Sequence, residues 1–242
     1  MRYKATVIYD GTNYCGWQIQ DDKPTVQQQI ENALKTLFGK DTSIVGSGRT
    51  DSGVHALGQV FSFESDTTIP EKRLYKAINA RLPSDIRVTE CISTSPDFNA
   101  RYSAKRKTYT YRLYCSETEN PLKERYSVKC FPLDIALMKK AGSLLVGEHD
   151  FKAFSSVGSS VKTSTRKIYS LTIKKTGDDI EINVCGNGFL YNMVRIIAGT
   201  LVAVGEGRLP IENIEKALIC GDRTLVGKTL SAKGLTLTKV VY

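Results

Sequence analysis

The chain has 242 residues, enough for one large core or two small ones, and its 41% apolar and 24% charged residues exclude a disordered composition. Lys and Arg number 34 against 25 Asp and Glu, a net charge of +9 with a pI near 9.2. Nucleic acid is therefore the first partner to consider, because clustered cations gain by displacing counterions from phosphates.

Residues 2–9 alternate polar and apolar as a strand does and end at the turn Asp10-Gly11. Thr25 to Phe38 reads as a helix. Val26, Ile30, Ala33, Leu34 and Leu37 fall on one face, Thr25 and Gln28 suit a capping box, and Gly39 suits the stop. Short strands near 43–47 and 58–64 flank a segment rich in Gly and Ser, 46–53. Pro70 opens a second helix carrying Leu74, Ala77 and Ile78, and residues 86–94 make a strand. The order is β-α-β-β-α-β.

The second half repeats it. Arg106 to Cys115 is a strand, and 133–145 is a helix that starts near Asp134 and stops at Gly147. Strands 166–174 and 180–185 meet at Gly177-Asp178. Helical patterns follow at 190–204 and 211–219, the second entered through Pro210, and 235–241 is the last strand. This order predicts an α+β fold of two tandem ferredoxin-like units, residues 1–104 and 105–242. Their mixed or antiparallel sheet would carry helices on one face and leave the other for a cleft able to take RNA.

The remaining composition narrows the chemistry. MRYKATVIYD lacks the continuous apolar core of a signal peptide, and the longest apolar stretch, Met193 to Val204, is too short for a membrane span and contains Arg195. The six cysteines form no C-x2–4-C pair, and two histidines are too few for a His-rich site. A cytoplasmic protein with reduced thiols, no metal and no membrane association is the expectation.

GSGRTDSGVHALGQ, residues 46–59, is the most informative segment. It sets Arg49 and Asp51 in a glycine-punctuated loop between two predicted strands. A carboxylate beside an arginine tends to stay ionised, and an ionised carboxylate on a rigid turn can act as nucleophile or base. Aspartate also caps such turns commonly, and composition alone favours that plainer role. Residue identity changes the weighing.

GRTDSGVHA closely resembles the signature of the tRNA pseudouridine synthase A family. DGTNYCGWQIQ (10–20), INARLP (78–83), FNARYSAKRKTYTY (98–111), GNGFLYNMVR (186–195) and DRTLVGKT (222–229) resemble it too, in order and across essentially the whole chain. The resemblance implies that Asp51 is the catalytic aspartate, that Tyr109 contacts the target base, and that Arg195 pairs with the aspartate and orients it. Arg49, beside Asp51, is placed with the substrate. It further implies a tRNA substrate modified in the anticodon stem-loop, a homodimer, no cofactor, and a pseudouridine synthase-type sheet.

The residues themselves are compatible with those roles. Tyr109 and Tyr111 lie two apart on a strand and share a face, where Tyr111 suits the core. An arginine amid Met193, Val194, Ile196 and Ile197 needs a partner, because an unpaired buried charge is costly. His55 suits a structural role in the loop, with RNA contact as the lesser alternative. Arg101, Lys105, Arg106, Lys107 and Arg112 interleave with Tyr102, Tyr109 and Tyr111, a pattern for single-stranded or looped RNA. The stretch 155–167 reads as a mobile loop able to touch RNA. The competing readings are a non-catalytic RNA-binding protein, although GQVFSFE (58–64) lacks the RRM pattern, and a metal-dependent nuclease, for which clustered carboxylates are missing.

Overall fold

The structure, a computed structural model, describes residues 1–156 and 163–242. The fold is α+β with mostly antiparallel strands, and it divides into two compact units, Met1–Lys105 with Thr236–Tyr242, and Arg106–Leu235.

In the first unit, β1 (Arg2–Tyr9) lies between β3 (His55–Glu64) and β4 (Ile86–Thr94), antiparallel to both. Tyr3, Ala5, Val7 and Tyr9 are buried and the residues between them are not, as a half-buried strand requires. Tyr3 sits opposite Phe63 in register, and their rings stack 5.3 Å apart. The free edge of β3 takes two partners. The two-residue β2 (Val45–Gly46) pairs with Phe61 and Ser62, and β10 (Leu235–Val241) pairs in parallel with His55 and Ala56.

Two helices cover one face of this sheet. In α1 (Val26–Phe38), Thr25 Oγ1 accepts from the Gln28 backbone N–H at 3.4 Å, and Gly39 closes the end at φ 71°. Val26, Ile30, Ala33 and Leu34 are buried, each contributing about 1.5–3 kcal/mol for the larger side chains. Helix α2 (Glu71–Asn79) begins one residue after Pro70. At its end the Asn79 amide donates to the Val88 carbonyl and accepts from the Val88 N–H, both at 2.8 Å, which ties the helix to β4.

In the second unit, β5 (Arg106–Cys115), β9 (Asp179–Gly186), β8 (Thr165–Thr176) and β7 (Gly147–Asp150) pair antiparallel in that order. The short β6 (Val128–Cys130) runs parallel to the end of β5. Helix α3 (Ile135–Ser143) is capped by Asp134, whose carboxylate accepts from the Leu137 N–H at 2.9 Å. It ends before the expected 145, and Gly147, at φ 120°, starts a strand instead of merely stopping the helix.

Helix α4 (Met193–Gly205) is buried at every position except Arg195. It starts later than the apolar pattern because Asn192, at φ 61°, is left-handed and breaks the helix there. Helix α5 (Glu212–Cys220) ends at Gly221. The segment after it lies on the backbone of α4: a Cβ on Gly199 would stand 1.9 Å from the Lys228 carbonyl oxygen, and one on Gly227 would stand 2.4 Å from that of Gly199. Thr200 Oγ1 accepts from the Gly227 N–H and donates to the Ile196 carbonyl, so the contact is polar and satisfied. Among the described residues no helix is long and apolar enough to cross a membrane.

Replacing Thr25 by Ala should lower stability by about 1 kcal/mol by removing the cap of α1. The check is a urea titration in which the midpoint falls and the slope is unchanged.

Candidate active site

The loop 46–54 leaves β2 and returns into β3, and its position is set by the segment after β1. Two backbone stretches meet there at closer range than side chains allow. A Cβ on Gly16 (φ 91°) would stand 2.5 Å from the Thr50 carbonyl oxygen, and one on Gly11 would stand 2.0 Å from that of Val54. Gly46 gives the ring of Trp17 its place, since a Cβ would come within 2.5 Å of Nε1. The Trp17 N–H donates to the Thr50 carbonyl at 3.0 Å, and Gly53 N–H and Ser52 Oγ donate to that of Tyr14, each at 3.2 Å. Gly53 takes φ 75°, and Val54 N–H closes the turn on the Asp51 carbonyl at 3.1 Å.

Asp51 is thus half-buried at the crest of a loop held on both sides, with Arg49 and Ser52 exposed. His55 is buried at the start of β3. Its Nδ1 accepts from the Gly11 N–H at 3.0 Å and lies 3.2 Å from Asp10 Oδ1. A buried cluster of Tyr9, Thr50, Gln59 and Ser47 forms the base of the loop. Tyr9 Oη and Thr50 Oγ1 share a hydrogen bond at 2.8 Å. Gln59 accepts from Ser47 Oγ at 2.6 Å and donates to the Gly48 carbonyl at 2.9 Å. Burial pushes the Tyr9 hydroxyl well above the ordinary phenol range, and its hydrogen bond to Thr50 offsets part of that.

In the same unit the FNARYS stretch makes a tight turn. Asn99 Oδ1 accepts from the N–H groups of Arg101 and Tyr102, and the Ala100 N–H donates to Ser62 Oγ. The turn holds Tyr102 out in solvent at 81% exposure, with the Arg101 guanidinium 5.7 Å from its ring. Lys105 is exposed close by in sequence.

The second unit holds the other candidates. Tyr109 is buried on β5 and meets Phe189 edge-on, ring centroids 5.2 Å apart. Tyr111, two residues on, is wholly buried, with its hydroxyl donating to the Ser231 carbonyl at 2.7 Å. Burial raises the Tyr111 pKa, and the charge of Arg195 counteracts part of the rise. Arg195 Nε donates to the Leu230 carbonyl at 2.7 Å and its Nη1 to Asn192 Oδ1 at 2.6 Å. Arg106 is exposed, 4.7 Å over the ring of Tyr169, and Lys107 is half-buried. Arg112 pairs with Glu181 at 3.1 Å.

Sequence reasoning missed Tyr9, Trp17, Gln59 and Asn192. The available signal was Gln59, a polar residue on the same strand face as Phe61 and Phe63 in GQVFSFE. Of the stretch 155–167, residues 157–162 lie outside the described residues. Among the described residues, no three His, Cys, Asp or Glu side chains are grouped to hold a metal ion.

The family model of the tRNA pseudouridine synthases matches residues 5–103 and 141–242. A protein of Thermoanaerobacter sp. (strain X514), "tRNA pseudouridine synthase A", is 46% identical over 98% of this chain and 97% of its own length. Proteins of the same description from Caldicellulosiruptor saccharolyticus and Bacillus licheniformis are 46% and 43% identical. The first alignment covers 98% of both chains, the second 100% of this chain and 99% of the other.

Gly16→Ala should destabilise the protein by about 2 kcal/mol or more, because the new methyl meets a carbonyl at a left-handed position. Urea titration and hydrogen exchange at the Trp17 amide check this. Wild-type stability together with intact protection would show that the two stretches can part without cost.

Proposed function

The chain belongs to the tRNA pseudouridine synthase family and isomerises uridine to pseudouridine in tRNA, and on that premise we propose that Asp51 is its catalytic carboxylate, with Arg195 and Tyr109 as its partners. The observation that carries the reading is the half-buried Asp51 at the crest of a loop fixed from both sides, within a family match that spans the chain.

The reaction breaks the C1′–N1 bond of the target nucleotide, turns the uracil, and joins C5 to C1′. The C5 hydrogen leaves as a proton, and N1 ends protonated. No electrons leave the nucleotide, so an acid–base and nucleophilic apparatus suffices. The target base must leave its stack before Asp51 can reach it, at a cost of about a few kcal/mol. Stacking on Tyr109 would recover part of it, as aromatic side chains do for splayed RNA bases. Asp51 attacks the sugar or the base, or removes a sugar proton; each of these uses requires an ionised carboxylate held still.

Arg195 supplies a fixed positive charge for that carboxylate. Its bonds to Leu230 and Asn192 set the direction of the guanidinium, which an aspartate partner needs more than it needs proximity alone. Arg49, exposed beside Asp51, is placed to meet a phosphate, and Arg101, Lys105, Arg106 and Lys107 supply further cations for the RNA backbone. The substrate region is the anticodon stem-loop, at three adjacent positions, and the protein works as a cytoplasmic homodimer. The family resemblance supports these last points. A binding protein without activity is not favoured, since the relatives are named as synthases along their full length.

The deciding experiment is tritium release from tRNA transcripts carrying 5-tritiated uridine. Wild type should release tritium, and Asp51→Asn should bind the same transcripts with release abolished. A variant that retained a substantial fraction of wild-type turnover would remove Asp51 from the chemistry. Arg195→Ala should lose both turnover and about 1–3 kcal/mol of stability, since it leaves the Leu230 carbonyl without its charged donor. Full activity at wild-type stability would uncouple Arg195 from the site.

A further inference from the structure

Asp51 takes its aim from a residue that precedes it. Thr50 is held at two points: its carbonyl accepts the Trp17 N–H at 3.0 Å, and its hydroxyl bonds the Tyr9 hydroxyl at 2.8 Å. Gln59 is buried at the base of the same loop. Its oxygen accepts from Ser47 Oγ and from the Val60 N–H, and its amide nitrogen donates to the Gly48 carbonyl. One buried amide therefore fixes the entry limb, 47–48, and the Tyr9 hydroxyl fixes Thr50 next to the carboxylate.

A glutamine wholly buried inside a strand is costly unless every polar atom is used, and here each is. A bare strand-packing role would be served by a leucine at the same place.

We propose that Tyr9 and Thr50 are positioning residues that aim the Asp51 carboxylate through the hydrogen bond between their hydroxyls. The proposal rests on the reading of Asp51 as the catalytic carboxylate. Neither residue touches substrate. Both act on the rate of the chemical step and leave tRNA binding alone.

Tritium release at saturating and limiting tRNA, with melting curves for each variant, tests this. Tyr9→Phe and Thr50→Val each remove one hydroxyl at nearly constant shape. Each should lower kcat about tenfold, the scale expected of a small misplacement, with KM for tRNA unchanged. Because they break one bond, the double variant should be no slower than the slower single. Thr50→Ser keeps the hydroxyl and should recover most of the lost rate. Should Tyr9→Phe not fold, the comparison of Thr50→Val with Thr50→Ser decides alone. Wild-type kcat in Thr50→Val, a change in KM in place of kcat, or additive losses in the double variant would each overturn the proposal. Asp51→Asn is measured beside them. If it stays active, the parent reading fails; if it is dead while Tyr9→Phe and Thr50→Val run at wild-type rate, only the positioning role fails.

Discussion

Two stretches of backbone, 10–17 and 46–54, lie against each other with no room for a β-carbon between them, and the first unit is organised around that contact. Gly11 and Gly16 let the carbonyls of Val54 and Thr50 come in, and Gly46 makes space for the indole of Trp17. Close approach alone would leave amides and carbonyls stranded away from water, at about 1–3 kcal/mol for each unpaired group. They are matched instead: Trp17 with Thr50, Gly53 and Ser52 with Tyr14, Gly11 with His55. Among the described residues, no buried side-chain nitrogen or oxygen lacks a hydrogen-bond partner. A loop held this way has one conformation to offer, which a reacting carboxylate requires.

The second unit solves a similar problem with the same means. Helix α4 is apolar on all sides, and the segment 227–231 crosses it where Gly199 and Gly227 remove two β-carbons. That crossing brings the Leu230 carbonyl to Arg195 and the Ser231 carbonyl to Tyr111. The one unburied position of the helix is thereby given a direction by the Leu230 main-chain oxygen together with the Asn192 side-chain oxygen. Each unit thus spends glycines on precision at a single charged residue.

The local elements were legible in the sequence because their signals are local. The alternation of 2–9, the Thr25 cap and Gly39 stop of α1, and the Gly177 turn all appear where the pattern puts them. Boundaries slipped where one residue's backbone overrode the apolar period, as at Asn192 and Gly147. β7, with the sequence GEHD, carries no apolar signal, and pairing with β8 alone makes it a strand. Asp51 was legible through the identity of its motif, but the support beneath it was not. Tyr9 and Gln59 sit at positions that the period-2 pattern assigns to the core, and only their partners distinguish them from core. Likewise Gly11 read as a turn residue, whereas its use is to admit the Val54 carbonyl.

β10 joins the unit that carries Asp51 although nearly the whole second unit separates it in sequence from β3. Its parallel pairing begins at His55, directly after the loop, and Gly58 lets the Thr238 carbonyl within 2.5 Å of where a Cβ would stand. Tyr242 donates its hydroxyl to the Ala100 carbonyl and lies against Phe98. On the ribosome, therefore, the Asp51 loop is made early and completed late: its sheet edge stays open while more than a hundred residues are synthesised. A nascent chain can fold the first helices and strands, yet the frame of the Asp51 loop stays unfinished until translation has passed through the second unit.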